Sequence, residues 1–194
     1  MAQLTKITMH WAVTGYKATE TSRKHYHSIT EGDGVQVMGY LPPEANMDTD
    51  TPYVAHVLRF NTGNIGMAMA AMSGAKERPF KSGNFPITKH QLDAFVHHVA
   101  AMAAEYNIPI TRDTVFTHAE VEGQFGVKQR GKWDIMWLPG MKRPSSAVDV
   151  GDTLREMIAE AMYKGVRPII QDPVQGPWES ILKAIAAIFG GKKA

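Results

Sequence analysis

A chain of 194 residues, 44% of them apolar and 21% charged, is long enough to bury a sizeable core and has a globular composition. Its formal charge of +2, with no cluster of Lys and Arg interleaved with aromatics, argues against nucleic acid as a partner. With no cysteine, disulfides and thiolate metal sites are excluded, so transition-metal ligands would have to be His and carboxylate.

Residues 1–6 lack the basic segment and apolar stretch of a secretory signal, and no apolar run reaches the ~20 residues of a membrane span. Residues 6–13 read as a buried strand, broken by Thr14-Gly15, and 17–24 is polar enough for a short exposed helix. Residues 25–30 and 35–40 flank Glu31-Gly32-Asp33-Gly34, which predicts a hairpin because Asp-Gly suits the positive φ of tight turns. Residues 41–52 form a solvent loop in this reading. Two further strands are expected at 53–60 and 65–72, joined by Asn61-Thr62-Gly63, and a long loop at 73–86.

Thr88-x-x-Gln91 has the form of a capping box and opens the clearest helix, with Leu92, Phe95, Val96, Val99, Met102, Ala103 and Tyr106 at helical spacing. His97 and His98 lie on it at adjacent positions that point apart, and they are read as half-exposed without shared chemistry. Residues 115–117 form a short strand delivering His118, and the polar 121–130 stretch, with Gly123 and Gly126, reads as a loop. After Pro139-Gly140, residues 142–146 read as a linker. Thr153-x-x-Glu156 then heads a helix that carries Leu154, Met157, Ile158 and Ala161 on one face and is ended by Gly165. Residues 168–177 form an extended tether. Trp178, Ile181, Leu182, Ile185, Ile188 and Phe189 fall on one helical face.

Metal-type chemistry concentrates in Thr117-His118-Ala119-Glu120 and Gly131-Lys132-Trp133-Asp134. His118 and Asp134 are nitrogen and oxygen ligands that zinc accepts, and the 121–130 stretch folds the second back towards the first. A catalytic zinc site takes three protein ligands. The best third candidate is His10, in the apolar run of the first strand.

In this order and spacing, His10, the His25-Tyr26-His27 segment with its acidic-Gly turn, His56 with Asn61 and Asn64-Ile65-Gly66, and His118 to Lys132-x-Asp134 resemble the zinc-dependent type-2 N-acetylmuramoyl-L-alanine amidases. That family includes phage lysins and peptidoglycan recognition proteins. The resemblance covers about residues 5–140. One departure is that the family often follows its ligand Asp with Pro-Gly, a turn delayed here to Pro139-Gly140.

The resemblance implies an α/β fold, a central mixed β-sheet flanked by helices with a zinc groove on one side, to which the helical pattern beyond residue 140 adds a helical C-terminal extension. Residues 1–140 would be the zinc amidase domain, and 141–194 the linker and extension. It implies Zn2+ on His10, His118 and Asp134. Lys132 would face the developing oxyanion and Tyr26 would hold or deprotonate the attacking water. Glu120, two residues after a ligand, is a rival general base. His56 is read as a groove residue binding sugar or peptide, and Asn61 and Asn64 either contact glycan acetamido groups or hold turns.

The expected activity is hydrolysis of the N-acetylmuramic acid–L-alanine bond of peptidoglycan by a monomeric phage or prophage endolysin. It would be held in the host cytoplasm until released onto the periplasmic cell wall. The rivals are a non-catalytic peptidoglycan-binding module of the same fold and a muropeptide-recycling amidase. For the 178–189 face two readings stand: docking on the domain, or weak contact with a membrane surface beside Lys192 and Lys193.

Overall fold

The computed structural model describes residues 3–165; the tether at 168–177 and the apolar stripe at 178–189 lie outside the described residues. Five strands form one mixed sheet in the order β3-β2-β4-β1-β5. They are β1 (Lys6–Trp11), β2 (Ser28–Thr30), β3 (Gln36–Met38), β4 (Asn64–Met69) and β5 (Val115–Thr117). β2 and β3 are the antiparallel hairpin expected around the acidic-Gly turn, and the other pairings are parallel. Four α-helices accompany the sheet among the described residues: α1 (Glu20–His25), α2 (Lys89–Glu105), α3 (His118–Phe125) and α4 (Ala147–Tyr163). The expected α/β class is therefore the observed one.

Strand alternation divides the molecule. Ile7, Met9 and Trp11 of β1 and Ile65, Met67 and Met69 of β4 point into one core with the apolar faces of α2 and α4. Thr8 and His10, with Asn64, Gly66 and Ala68, belong to the opposite face. A smaller cluster of Val57, Phe116 and Val121 lies with α3 off that core.

Several local expectations change. Residues 53–60 form no strand, and the presumed solvent loop at 41–52 contains a 3-10 turn, Pro43–Met47, with Asn46 fully buried. The first half of the supposed 121–130 loop belongs to helix α3, closed by Gly126 at φ 69°. Thr88 caps α2 by accepting from Gln91 N–H, but the Gln91 side chain does not return to the cap. It is buried and donates to Thr30 O and Ala70 O, tying the helix to the sheet. His98 is buried too, with its Nδ1 2.8 Å from Thr30 Oγ1, rather than half-exposed.

α4 begins earlier than expected, capped by Ser146, whose hydroxyl accepts from Asp149 N–H; Thr153 lies inside it, donating to Asp149 O. Val150, Leu154 and Ile158 enter the core shared with β1 and β4, so the described chain builds one core across position 140. On its buried side α4 carries Arg155, which donates to both oxygens of Glu120 at 2.8 and 3.2 Å and to Val115 O at 2.9 Å. A Cβ on Gly151 would lie 2.2 Å from Glu120 Oε2, so only glycine admits the carboxylate there.

Two stability outcomes follow from these contacts. Arg155→Leu should destabilise the fold by about 3–5 kcal/mol in urea unfolding, because it leaves Glu120 charged and buried without its counter-ion. The second concerns His27, whose buried Nδ1 accepts from Gly66 N–H at 2.8 Å and whose pKa burial lowers to about 4. As pH falls below the ordinary 6.5, the unfolded chain binds a proton that the folded ring refuses until about pH 4. His27 therefore contributes stability at neutral pH that is lost between about pH 6.5 and 4, amounting to about 3 kcal/mol. Against His27→Gln, which keeps an acceptor for Gly66, the wild type should lose that much relative stability between pH 7 and 4.

Candidate metal centre

Strand register brings the two distant histidines together. β1 pairs with β5 in parallel with Met9 beside Thr117, so the next residues, His10 and His118, emerge side by side where β5 hands over to α3. Their ring centroids are 4.7 Å apart. Asp134 returns to them because Ala119 N–H donates to Asp134 O at 2.6 Å and Trp133 packs edge-on against Trp11. One carboxylate oxygen, Oδ2, then lies 2.9 Å from His10 Nδ1 and 3.2 Å from His118 Nδ1. All three residues are buried, and the three ligand atoms lie within 4.8 Å of one another. A tetrahedral zinc site, with bonds of about 2.0–2.2 Å, separates its ligand atoms by about 3.3 Å, so the spacing fits such an ion.

The opposite edges of the rings decide what the facing edges carry. His56 Nε2 lies 3.0 Å from the Asn64 carbonyl, which can only accept, so that nitrogen bears the proton and His56 Nδ1 is bare. His56 Nδ1 lies 3.2 Å from His10 Nε2, which must then donate, leaving a lone pair on His10 Nδ1. His118 Nε2 faces Gln129 Oε1 at 3.0 Å, which places the single proton of a neutral ring on Nε2 and leaves Nδ1 bare. Two lone pairs and a carboxylate oxygen thus converge, and only a shared proton or a cation satisfies them. Burial lowers His10 to about 4, which disfavours the proton at neutral pH. Burial pushes the Asp134 carboxyl up, but a proton or cation shared with His10 and His118 outweighs that and holds it well below the usual range. The three residues can bind a metal ion.

Above them opens a groove of about 740 Å³, lined among others by Tyr26, His56, Arg59, His118, Arg130 and Lys132, with no acidic side chain in its wall among the described residues. The Tyr26 ring lies 5.1 Å from that of His10. Burial first, and then the Asp134 charge, raise its phenol well above the ordinary value, so it stays protonated. Lys132 is exposed on the groove.

The remaining expected site residues are bound into the fold, two of them, His56 and Asn61, while also lining the groove. Glu120 is turned to Arg155 and to Thr117 N–H, at 2.7 Å, and both its oxygens are engaged in the fold, which leaves no free oxygen for a general base. His56 is buried beneath His10 and lies over Gly66, where a Cβ would stand 2.5 Å from its ring. Asn61 lines the groove, but its oxygen accepts from His56 N–H and Val57 N–H. Asn64 is fully buried between Thr8 and Phe60, so of the two proposed roles it has the structural one. Gln129 was not singled out in the sequence. The His and carboxylate pattern that marks the ligands does not include Gln, and a polar residue in a stretch read as loop gives no signal of its own.

No family model matches the chain, and no curated protein sequence matches it.

If these three residues form the centre, purified protein should carry about one divalent metal per chain. His118→Ala and Asp134→Ala should each lose it in elemental analysis while retaining the far-ultraviolet spectrum of the fold. Full metal retention by either variant would contradict the ligand set.

Proposed function

We propose that this protein is a zinc-dependent amidase that hydrolyses the bond between N-acetylmuramic acid and L-alanine in peptidoglycan. The observation that carries the reading is the convergence of His10 Nδ1, His118 Nδ1 and Asp134 Oδ2 beneath an open groove. A two-histidine, one-carboxylate set is a zinc hydrolase donor set, and a non-catalytic module of the same fold would be expected to lack a ligand. Zinc held there supplies the Lewis acidity that activates water and polarises an amide carbonyl.

The chain's own groups supply the rest. Tyr26, protonated beside His10, orients the attacking water through its hydroxyl rather than removing its proton. Lys132 offers a cation to the oxyanion as the carbonyl carbon becomes tetrahedral, an interaction stronger in the transition state than in the ground state. Arg59, Arg130 and Lys132, in a groove wall without acidic side chains, suit a substrate whose peptide bears carboxylates. Release as a phage endolysin is part of the same proposal and rests on the sequence resemblance alone.

Digestion of purified sacculi tests the activity: new L-alanine amino termini should accumulate without new reducing sugar ends. Tyr26→Phe and Lys132→Ala should keep metal and fold but lose about two to four orders of magnitude in turnover. Metal-replete wild type that releases no L-alanine termini would overturn the amidase reading and leave the metal centre intact.

A further inference from the structure

The lone pair that His118 turns towards Asp134 depends on which nitrogen of the ring carries the proton, and Gln129 decides that. Gln129 is buried, and backbone groups of fixed polarity surround its amide. Its Oε1 accepts from Leu58 N–H at 3.2 Å. Its Nε2 donates to Leu58 O and Val127 O, both at 3.1 Å. A flipped amide would set NH2 against the Leu58 N–H and the oxygen against two carbonyls, so one orientation survives. In that orientation Oε1 is the atom 3.0 Å from His118 Nε2, and an amide oxygen can only accept.

We infer that Gln129 is a positioning residue: clamped by the Leu58 peptide, it holds His118 in the Nε2–H tautomer and so presents Nδ1 to the metal before any metal arrives. The clamp also makes the groove wall part of the metal centre, because Val57, Leu58 and Arg59 line the groove while the Leu58 peptide fixes the amide. The inference rests on the metal-centre reading and is independent of the amidase reading.

The test uses the full chain. In metal-free wild type, under conditions where the His118 ring carries one proton, nitrogen-15 imidazole spectra should place it on Nε2 and show Nδ1 bare. Gln129→Met, of similar length and without polar atoms, should give a tautomer mixture and weaken zinc about 10- to 100-fold in competition with a chromophoric chelator. Gln129→Glu, which keeps an oxygen for Nε2–H but loses the donors to Leu58 and Val127, should restore most of the affinity. A role in packing alone predicts a different result, with both variants weakened in proportion to lost stability and the tautomer unchanged. His118 protonated on Nδ1 in the wild type, or unaltered zinc affinity in Gln129→Met, would overturn the inference. If Gln129→Met does not fold, the wild-type spectrum decides alone. Failure of wild type to bind zinc would remove the metal reading, whereas failure to cleave sacculi would touch only the amidase.

Discussion

Parallel pairing of β1 with β5, in the register that sets Met9 beside Thr117, is the constraint on which the candidate centre depends. A one-residue slip would turn His10 towards the core occupied by Met9 and Trp11. The register is held on both edges of β1, because the same strand pairs with β4 from Lys6 to Trp11. Its core-facing residues are fully or almost fully buried, so slippage would expose them as well as misplace the ligand. Ligand geometry and apolar burial therefore select one pairing. The two histidines also emerge at the carboxyl ends of parallel strands, where open α/β sheets leave room for a site.

The groove wall uses a second device. The backbone between positions 54 and 58 has no strand neighbour among the described residues, yet the N–H groups of Val54, His56, Val57 and Leu58 are paired. Asn46 exchanges two hydrogen bonds with the Val54 peptide, at 2.8 and 3.0 Å. Asn61 accepts from His56 and Val57, and Gln129 exchanges two with Leu58. Three side-chain amides thus replace a neighbouring strand and meet the requirement that buried peptide groups be bonded. Freed from the sheet, the segment turns at Arg59, at φ 54°, and shapes the groove while carrying His56 under His10.

This device also explains what the sequence did and did not disclose. β1, β4, the β2–β3 hairpin and α2 were legible because burial imposes period 2 or 3.6 on their residues, as in Ile7-x-Met9-x-Trp11 and Leu92 through Val99. The apolar 53–60 run has strand-like composition, but its partners are Asn and Gln side chains up to 71 positions away, which local pattern does not reveal. The start of α4 was misread because Gly151 interrupts its pattern, and that glycine is fixed by the distant Glu120 carboxylate. α3 carries a local signal, Thr117-x-x-Glu120, while Gly123 and Gly126 give the stretch that follows a loop-like composition. Three ligand-type residues were legible by kind. The groups that set their tautomers were not, since a carbonyl at Asn64 and an amide at Gln129 acquire meaning only by position.

Charge balance separates the candidate metal ligand from the structural acids. Among the described residues three acidic side chains belong to buried residues: Glu31, Glu120 and Asp134. Glu31 is paired with Lys17 at 2.7 Å, and Glu120 with Arg155 at 2.8 Å. Asp134 has ion-pair contacts with imidazoles alone, and burial keeps the His10 ring neutral at pH 7. An ionised carboxylate withdrawn from water without a counter-charge costs several kcal/mol, and two bare ring nitrogens pointed at the same spot add to that cost. The fold supplies Lys17 and Arg155 to the other two buried acids, whereas Asp134 is given imidazoles alone. A divalent cation bound by the three atoms would offset that cost, which makes metal binding a matter of the protein's own charge balance as well as of its chemistry.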